Sequence, residues 1–217
     1  MVEFNSNIVT PSLKQLVKIL NNNNVKYRFL GSVVISAING KQYRNLGDLD
    51  LIVDIKGKDI LYTQLINLGY KRAGGIFAFA RRYLFLETLE HEKLIGVGYF
   101  VGRWQKDGSI IMGEKLIKVS IESYALKSTQ YELYGIEFIG IPQQSIATGV
   151  KSSENNPKRK KEILILKEKN ILPFTNNYIH IDIFGIKSDW IYHFTMKILN
   201  IVGVLRVKLG LPFDPWR

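Results

Sequence analysis

The chain has 217 residues, 46% hydrophobic and 23% charged, the usage of an ordinary folded domain, which excludes wholesale disorder and collagen-like structure. It has no cysteine, so disulfide frameworks, zinc ribbons, iron–sulfur clusters and thiol nucleophiles are excluded, and cytoplasm is the default expectation. Thirty basic against 19 acidic residues leave a formal charge of +11, which favours nucleotides, nucleic acid or an acidic membrane face without choosing among them.

Met1 to Thr10 lacks a basic stretch followed by an apolar one, so no signal peptide is expected. Thr10 and Pro11 read as the N-cap and first position of a helix, and Leu13, Leu16, Val17 and Leu20 then recur at helical spacing. Asn21 to Asn24 ends it. Val25 to Leu30 alternates like a strand, Gly31-Ser32 interrupts, and Val33 to Ile38 starts a helix just after the glycine. Gly40 to Gly47 is a polar loop, Asp48 to Val53 a second strand, and Ile60 to Leu68 a helix stopped by Gly69. Strands are expected at Ile76–Phe79, Arg82–Glu87, Leu94–Val101, Leu116–Ile121 and Tyr134–Ile141. A polar break, Lys151 to Pro157, leads into a basic helix at Lys158 to Lys169, then a strand at Tyr178–Phe184. Trp190 to Leu211 reads as a largely apolar helix, but Lys197, Asn200, Arg206 and Lys208 break it, so no membrane span is expected.

Two features converge within a short stretch. Leu30-Gly31-Ser32 lies where a strand turns into a helix, so backbone can approach a ligand closely and the helix start offers unpaired N–H groups to a phosphate. Asp48 and Asp50 are two apart on a strand, which points both carboxylates to one face. Paired carboxylates of this kind suit a magnesium ion shared with substrate phosphates. Bland readings stand beside these: Ser32 serves as a helix cap, Arg44 as a surface arginine, Lys158 to Lys161 as a solvated helix face, and His91, His180 and His193 as scattered structural residues.

Leu-Gly-Ser, a spacer, then Asp-Leu-Asp-Leu resembles the signature of the nucleotidyltransferase superfamily, the polymerase-β-like fold. Leu13 to Leu68 is similar to its small members, including AbiEii-type toxins and minimal antibiotic-modifying enzymes, which also carry an arginine shortly before the paired acids, here Arg44. The resemblance implies an α+β fold: a small mixed β-sheet flanked by helices over 1–155, with a basic helix, short strand and C-terminal helical extension over 156–217. It implies Mg2+-dependent transfer of a nucleoside monophosphate from an NTP to a hydroxyl or phosphate acceptor on a small molecule, protein or tRNA. Asp48 and Asp50 would hold two metals, and Gly31, Ser32 and Arg44 the nucleotide. A homodimer is compatible with this reading, and so is an inactive nucleotide- or partner-binding relative. Active members carry a third acid on a later strand, where this chain reads Ile95-Gly96-Val97-Gly98. Asp182 is the first substitute for it and Glu122 the second.

Overall fold

Alternation along one strand organises the molecule. In β2 (Asp48–Asp54), Leu49, Leu51 and Val53 have no exposed surface and enter the main core. Asp48, Asp50, Ile52 and Asp54 occupy the other face, because successive strand residues point to opposite sides. The computed structural model describes residues 4–74, 85–113 and 117–191, with 194 and 197. The strand expected at Ile76–Phe79, the start of that expected at Arg82, and most of the helix expected over Trp190 to Leu211 lie outside the described residues.

β1 (Tyr27–Leu30) runs antiparallel to β2 and pairs Leu30 with Asp50. On the other side β5 (Gly96–Trp104) runs parallel and pairs Asp48 with Gly96 and Asp50 with Gly98. Beyond β1 the sheet continues through β9 (Ile136–Gly140), parallel to β1, and β8 (Thr129–Leu133). Beyond β5 it continues through β6 (Ile110–Gly113), β7 (Ile117–Ile121), β10 (Ile179–Ile183) and β11 (Ile186–Lys187), all antiparallel to their neighbours. The short pair β3 (Lys71–Arg72) and β4 (Leu86–Glu90) joins through β4 to β5. The architecture is thus the expected α+β one, a mixed sheet flanked by helices.

The main core takes buried residues from α1 (Ser6–Asn22), α2 (Ser32–Asn39), α3 (Lys58–Asn67), α4 (Gln143–Lys151) and α5 (Lys160–Glu168). A smaller core lies on the face of the acids, where Ile52 meets Ile110, Met112, Ile121, Ala125, Leu126 and Tyr178. Among the described residues no helix is long and apolar enough to cross a membrane.

Two departures from expectation have physical causes. α1 begins at Ser6, not at Thr10, and carries Pro11 inside it. Asn5 fixes the chain just ahead: its amide donates to Leu46 O, and its side-chain oxygen accepts from Gln42 Nε2 and Leu46 N–H. Ile8 and Val9 N–H then bond Asn5 O, so a tertiary anchor starts the helix before the local proline signal does. β8 and α4 are absent from the expected elements. The hairpin turns at Tyr134-Gly135 with both residues at positive φ, 54° and 73°. Tyr134 lacks the glycine or asparagine that usually announces that conformation at the first position.

Phe29 has no exposed surface and packs edge-on to Phe138 at 5.0 Å and Tyr27 at 5.6 Å. Phe29→Ala removes a ring from the centre of the sheet, and we expect about 3–5 kcal/mol of lost stability in urea unfolding. A loss under about 1 kcal/mol would show that this aromatic stack is not part of the stabilising core.

Candidate functional site

The site forms where β1 ends, because its last residue pairs with Asp50 and the turn follows at once. Gly31, the N-cap of α2, has φ +71°, a conformation that a residue with a side chain rarely adopts. A Cβ there would stand 2.7 Å from Asp50 Oδ2. The turn and the acid therefore touch through the missing side chain of Gly31. Ser32 is buried as the first residue of α2, and its carbonyl accepts from Ser36 Oγ at 2.9 Å. The first-turn N–H groups of α2 have no partners within the helix, as at any helix start.

The other flank of Asp50 is also glycine. A Cβ on Gly98 would stand 3.2 Å from Asp50 Oδ1, and one on Gly96 4.0 Å from Asp48 Cβ. Where the sequence suggested a missing acid, the ladder shows two positions kept bare beside the acid pair. Asp48 is exposed and Asp50 partly buried. Burial, then the neighbouring Asp48 charge, push the Asp50 carboxyl up to about 8, while Arg159 and Arg44 pull against them.

Those two arginines are held by one carboxylate. Glu162, in the first turn of α5, has no exposed surface; it accepts from Tyr43 Oη at 2.6 Å and from Arg159 Nη1, and stands 3.7 Å from Arg44 Nη2. Arg159 also donates to Ser153 Oγ, and Arg44 to Tyr43 Oη and Asn45 O. Burial opposes the Arg44 charge, but Tyr43, Glu162 and Asp48 hold its pKa above the ordinary arginine value. Burial and Glu162 push the Tyr43 phenol up, so it stays a proton donor. The loop carrying Tyr43 and Arg44 is tied down by Asn5 and by Tyr134 Oη, which donates to Gln42 Oε1.

The structure thus brings together Gly31, Ser32, Arg44, Asp48 and Asp50, and adds Arg159 and Glu162. The basic run hid Arg159, which reads within Lys158 to Lys161 as a solvated helix face, and Glu162 just after it was given no role; the one available signal was the Arg–Glu spacing of three, which puts both on one helix side. Asp182 is not brought to the pair. Strands β5, β6 and β7 stand between β10 and β2, each step adding about 4.8 Å. The Asp182 carboxylate accepts from Gly185 N–H at 2.7 Å, closing the β10–β11 turn. Glu122 lies elsewhere too, 3.3 Å from His180 Nε2, whose Nδ1 meets Asp189 at 2.9 Å. His91 accepts from Lys93 and Leu94 N–H, a structural role, and His193 lies outside the described residues. Besides Asp54 at the far end of β2, a further carboxylate among the described residues falls on the face of the pair: Glu90 alternates with Leu86 and Thr88 on β4, one register step past Leu89–Val97, which puts it across from Gly96. Among the described residues no three His, Cys, Asp or Glu side chains converge as a metal cluster.

No family model and no curated protein matches the chain. Solved structures do. The lincosamide antibiotic adenylyltransferase LnuA, in a lincomycin-bound crystal structure, is similar with TM-score 0.61 at 16% identity, over 74% of this chain and 97% of that one. The antibiotic-resistance factor ANT(2'')-Ia in solution gives 0.56 at 12% identity, over 73% and 83%. Its crystal structure with adenylyl-2''-tobramycin gives 0.52 at 13%, over 70% and 82%. At such identities the likeness is one of fold: the chain has the mixed α+β fold of these nucleotidyltransferases.

The raised Asp50 pKa fixes the sign of a pH effect. Between its unfolded value, about 3.9, and its folded value of about 8, the unfolded chain has lost a proton that the folded one keeps, so this group's contribution to stability declines as pH rises. Asp50→Asn should flatten the fall in melting temperature from pH 4 to pH 8, measured without divalent cations, and should be more stable than wild type at pH 8. An unchanged slope would show that Asp50 does not carry this pH dependence.

Proposed function

We propose that the protein transfers a nucleoside monophosphate from an NTP to an acceptor hydroxyl or phosphate. The observation that carries this reading is the contact of Asp50 with the Gly31 turn, which sets a paired-acid face directly against a phosphate-binding helix start. The fold shared with LnuA and ANT(2'')-Ia supports it.

The residues fit a divalent cation. Asp48 and Asp50 are hard oxygen donors on one face, bare glycines flank them, and the charge of Asp50 is opposed by burial and by its neighbour, which a cation would relieve. Mg2+ bound there with the nucleotide's phosphates would supply charge neutralisation at the reacting phosphorus. The chain's own groups do the rest. The N–H groups at Gly31 and Ser32 cradle phosphate, and Arg44 and Arg159 face the charge that builds on the departing pyrophosphate. The acceptor oxygen forms its bond to the α-phosphorus as the bond to the β-phosphate bridging oxygen breaks. Glu162 takes no part in the bond changes; it positions both guanidinium groups. Glu90, on the face of the pair by strand register, is the candidate in place of Asp182 to take the acceptor's proton. Because the neighbouring structures are bound to lincomycin and to adenylyl-2''-tobramycin, a small hydroxylated molecule is the first acceptor class to test.

Incubation with each labelled NTP, Mg2+ and a cell extract, followed by identification of the labelled product, tests the reading. Asp48→Ala should lower transfer by at least about 10²–10³-fold with little change in melting temperature, since an exposed acid contributes little to folding. Turnover that survives in Asp48→Ala, or label that enters nothing with any NTP, would overturn it. In the same assay Glu90→Gln should lower kcat by about 10²–10⁴-fold and leave the KM for NTP unchanged; a wild-type kcat would remove Glu90 from the mechanism.

A further inference from the structure

A second cluster of cations lies beyond Ile52 on the same face of the sheet as the acid pair: Arg28 pairs with Ile52, two residues or about 7 Å along β2 from Asp50, and Lys26 lies beside Asp54. Lys26, Arg28, Trp104, Asp107, Gly108, Ser123, Tyr124, Leu126 and Lys127 line a cleft of about 330 Å³, within the size range of small-ligand sites. It is built from elements far apart in sequence: the start of β1, the end of β5, and the 3₁₀ turn Ser123–Leu126.

Its charge is mainly positive, three cations against the one carboxylate of Asp107. Among the described residues Lys26, Arg28 and Lys127 have no carboxylate within ion-pair distance. Arg28 is partly buried and donates to Leu126 O and Tyr27 O, both neutral acceptors. Burial pushes its pKa down, and the Tyr27 hydroxyl is the one group that opposes this. A partly buried charge is commonly paired with a counter-ion, and among the described residues this one is not. The two nearby acids are turned to other work. Asp107 accepts from Ser109 N–H and Oγ, and Asp54, which faces Lys26 across the ladder, accepts from Lys56 N–H. The aromatic part is arranged as well: Lys26 Nζ lies 4.9 Å from the centre of the Trp104 ring and Arg28 Cζ 5.9 Å, which holds both cations at the wall of the cleft. Tyr124 leaves 40% of its surface exposed at the rim, braced edge-on by Phe174.

Three cations lacking anions beside an exposed aromatic ring match the two halves of a nucleotide, phosphate and base. We propose that this cleft binds a nucleoside phosphate, its phosphate against Lys26, Arg28 and Lys127 and its base stacked on Tyr124. The same chemistry comes from a single-stranded nucleic acid segment or from a free mononucleotide. The cleft lies on the same face as the acid pair, beyond Ile52, and binding there does not depend on the transfer reaction.

Fluorescence anisotropy in EDTA, which removes cation-dependent binding at the acid pair, tests this with a labelled RNA ten-mer and with labelled AMP. Wild type should bind at least one of them, with affinity falling as salt rises. Lys26→Glu/Lys127→Glu should lose at least about 10-fold and show a shallower salt dependence. Tyr124→Ala should lose about 5-fold or more. Thermal melting of each variant checks the fold. Preference for the ten-mer assigns the site to a strand, and equal or better binding of AMP assigns it to a free nucleotide. No binding of either probe by wild type, or equal binding by the double variant, overturns the proposal.

Discussion

One buried carboxylate ties the site to the fold. Glu162 has no exposed surface, yet it is satisfied by Tyr43, Arg159 and Arg44, which come from the loop before β2 and the turn before α5. A charge in such a place is tolerated only when its partners are fixed, so each of these segments is held in register by the others. Two further results follow from this one arrangement. The arginines stand close enough to act on Asp50, and the loop that delivers Asp48 cannot drift from the Gly31 turn. Truncating Glu162 would leave two partly buried guanidinium groups without their anion, so a defect there would be felt in stability and in the site alike.

β2 divides the labour between its faces. Leu49, Leu51 and Val53 secure the strand in the main core, which leaves the opposite face available for two carboxylates that would be intolerable inside. That face is not left bare for its whole length. Ile52 starts the smaller core with β6 and β7, so the strand passes from a polar end to an apolar middle within four residues. Glycine at 96 and 98 continues the polar end sideways: on a strand buried among neighbours a side chain there would press on the acids, and its absence keeps a hollow beside them.

The legible part of the molecule was the part whose signals are local. Gly31 before a helix and two acids at strand spacing announce their geometry within a few residues, and the ladder puts them in contact. Arg159 and Glu162 illustrate the opposite case. Both lie more than a hundred residues from Asp48, inside a run of lysines whose plain meaning is solvent, and only the packing of α5 onto the main core through Ile165 and Leu166 turns them inward. Asp182 misled for a related reason. An acid on an apolar strand is the right kind of residue, but strand order is a non-local property, and three strands intervene.

The charges of the site form a set that is balanced differently with and without substrate. In the free protein Arg44 and Arg159 are shared between Glu162 and the acid pair, and they fall short of offsetting the burial of Asp50, whose pKa stays high. On the proposed reading a nucleotide brings phosphates to the arginines while a divalent cation comes to the carboxylates, so every charge exchanges a partial partner for a direct one. Either ligand alone would satisfy half of the set and leave the other half opposed. Nucleotide and cation should therefore bind with positive coupling, each raising the affinity of the other by the same factor. The site gains this property from where its charges are held, before any chemistry takes place.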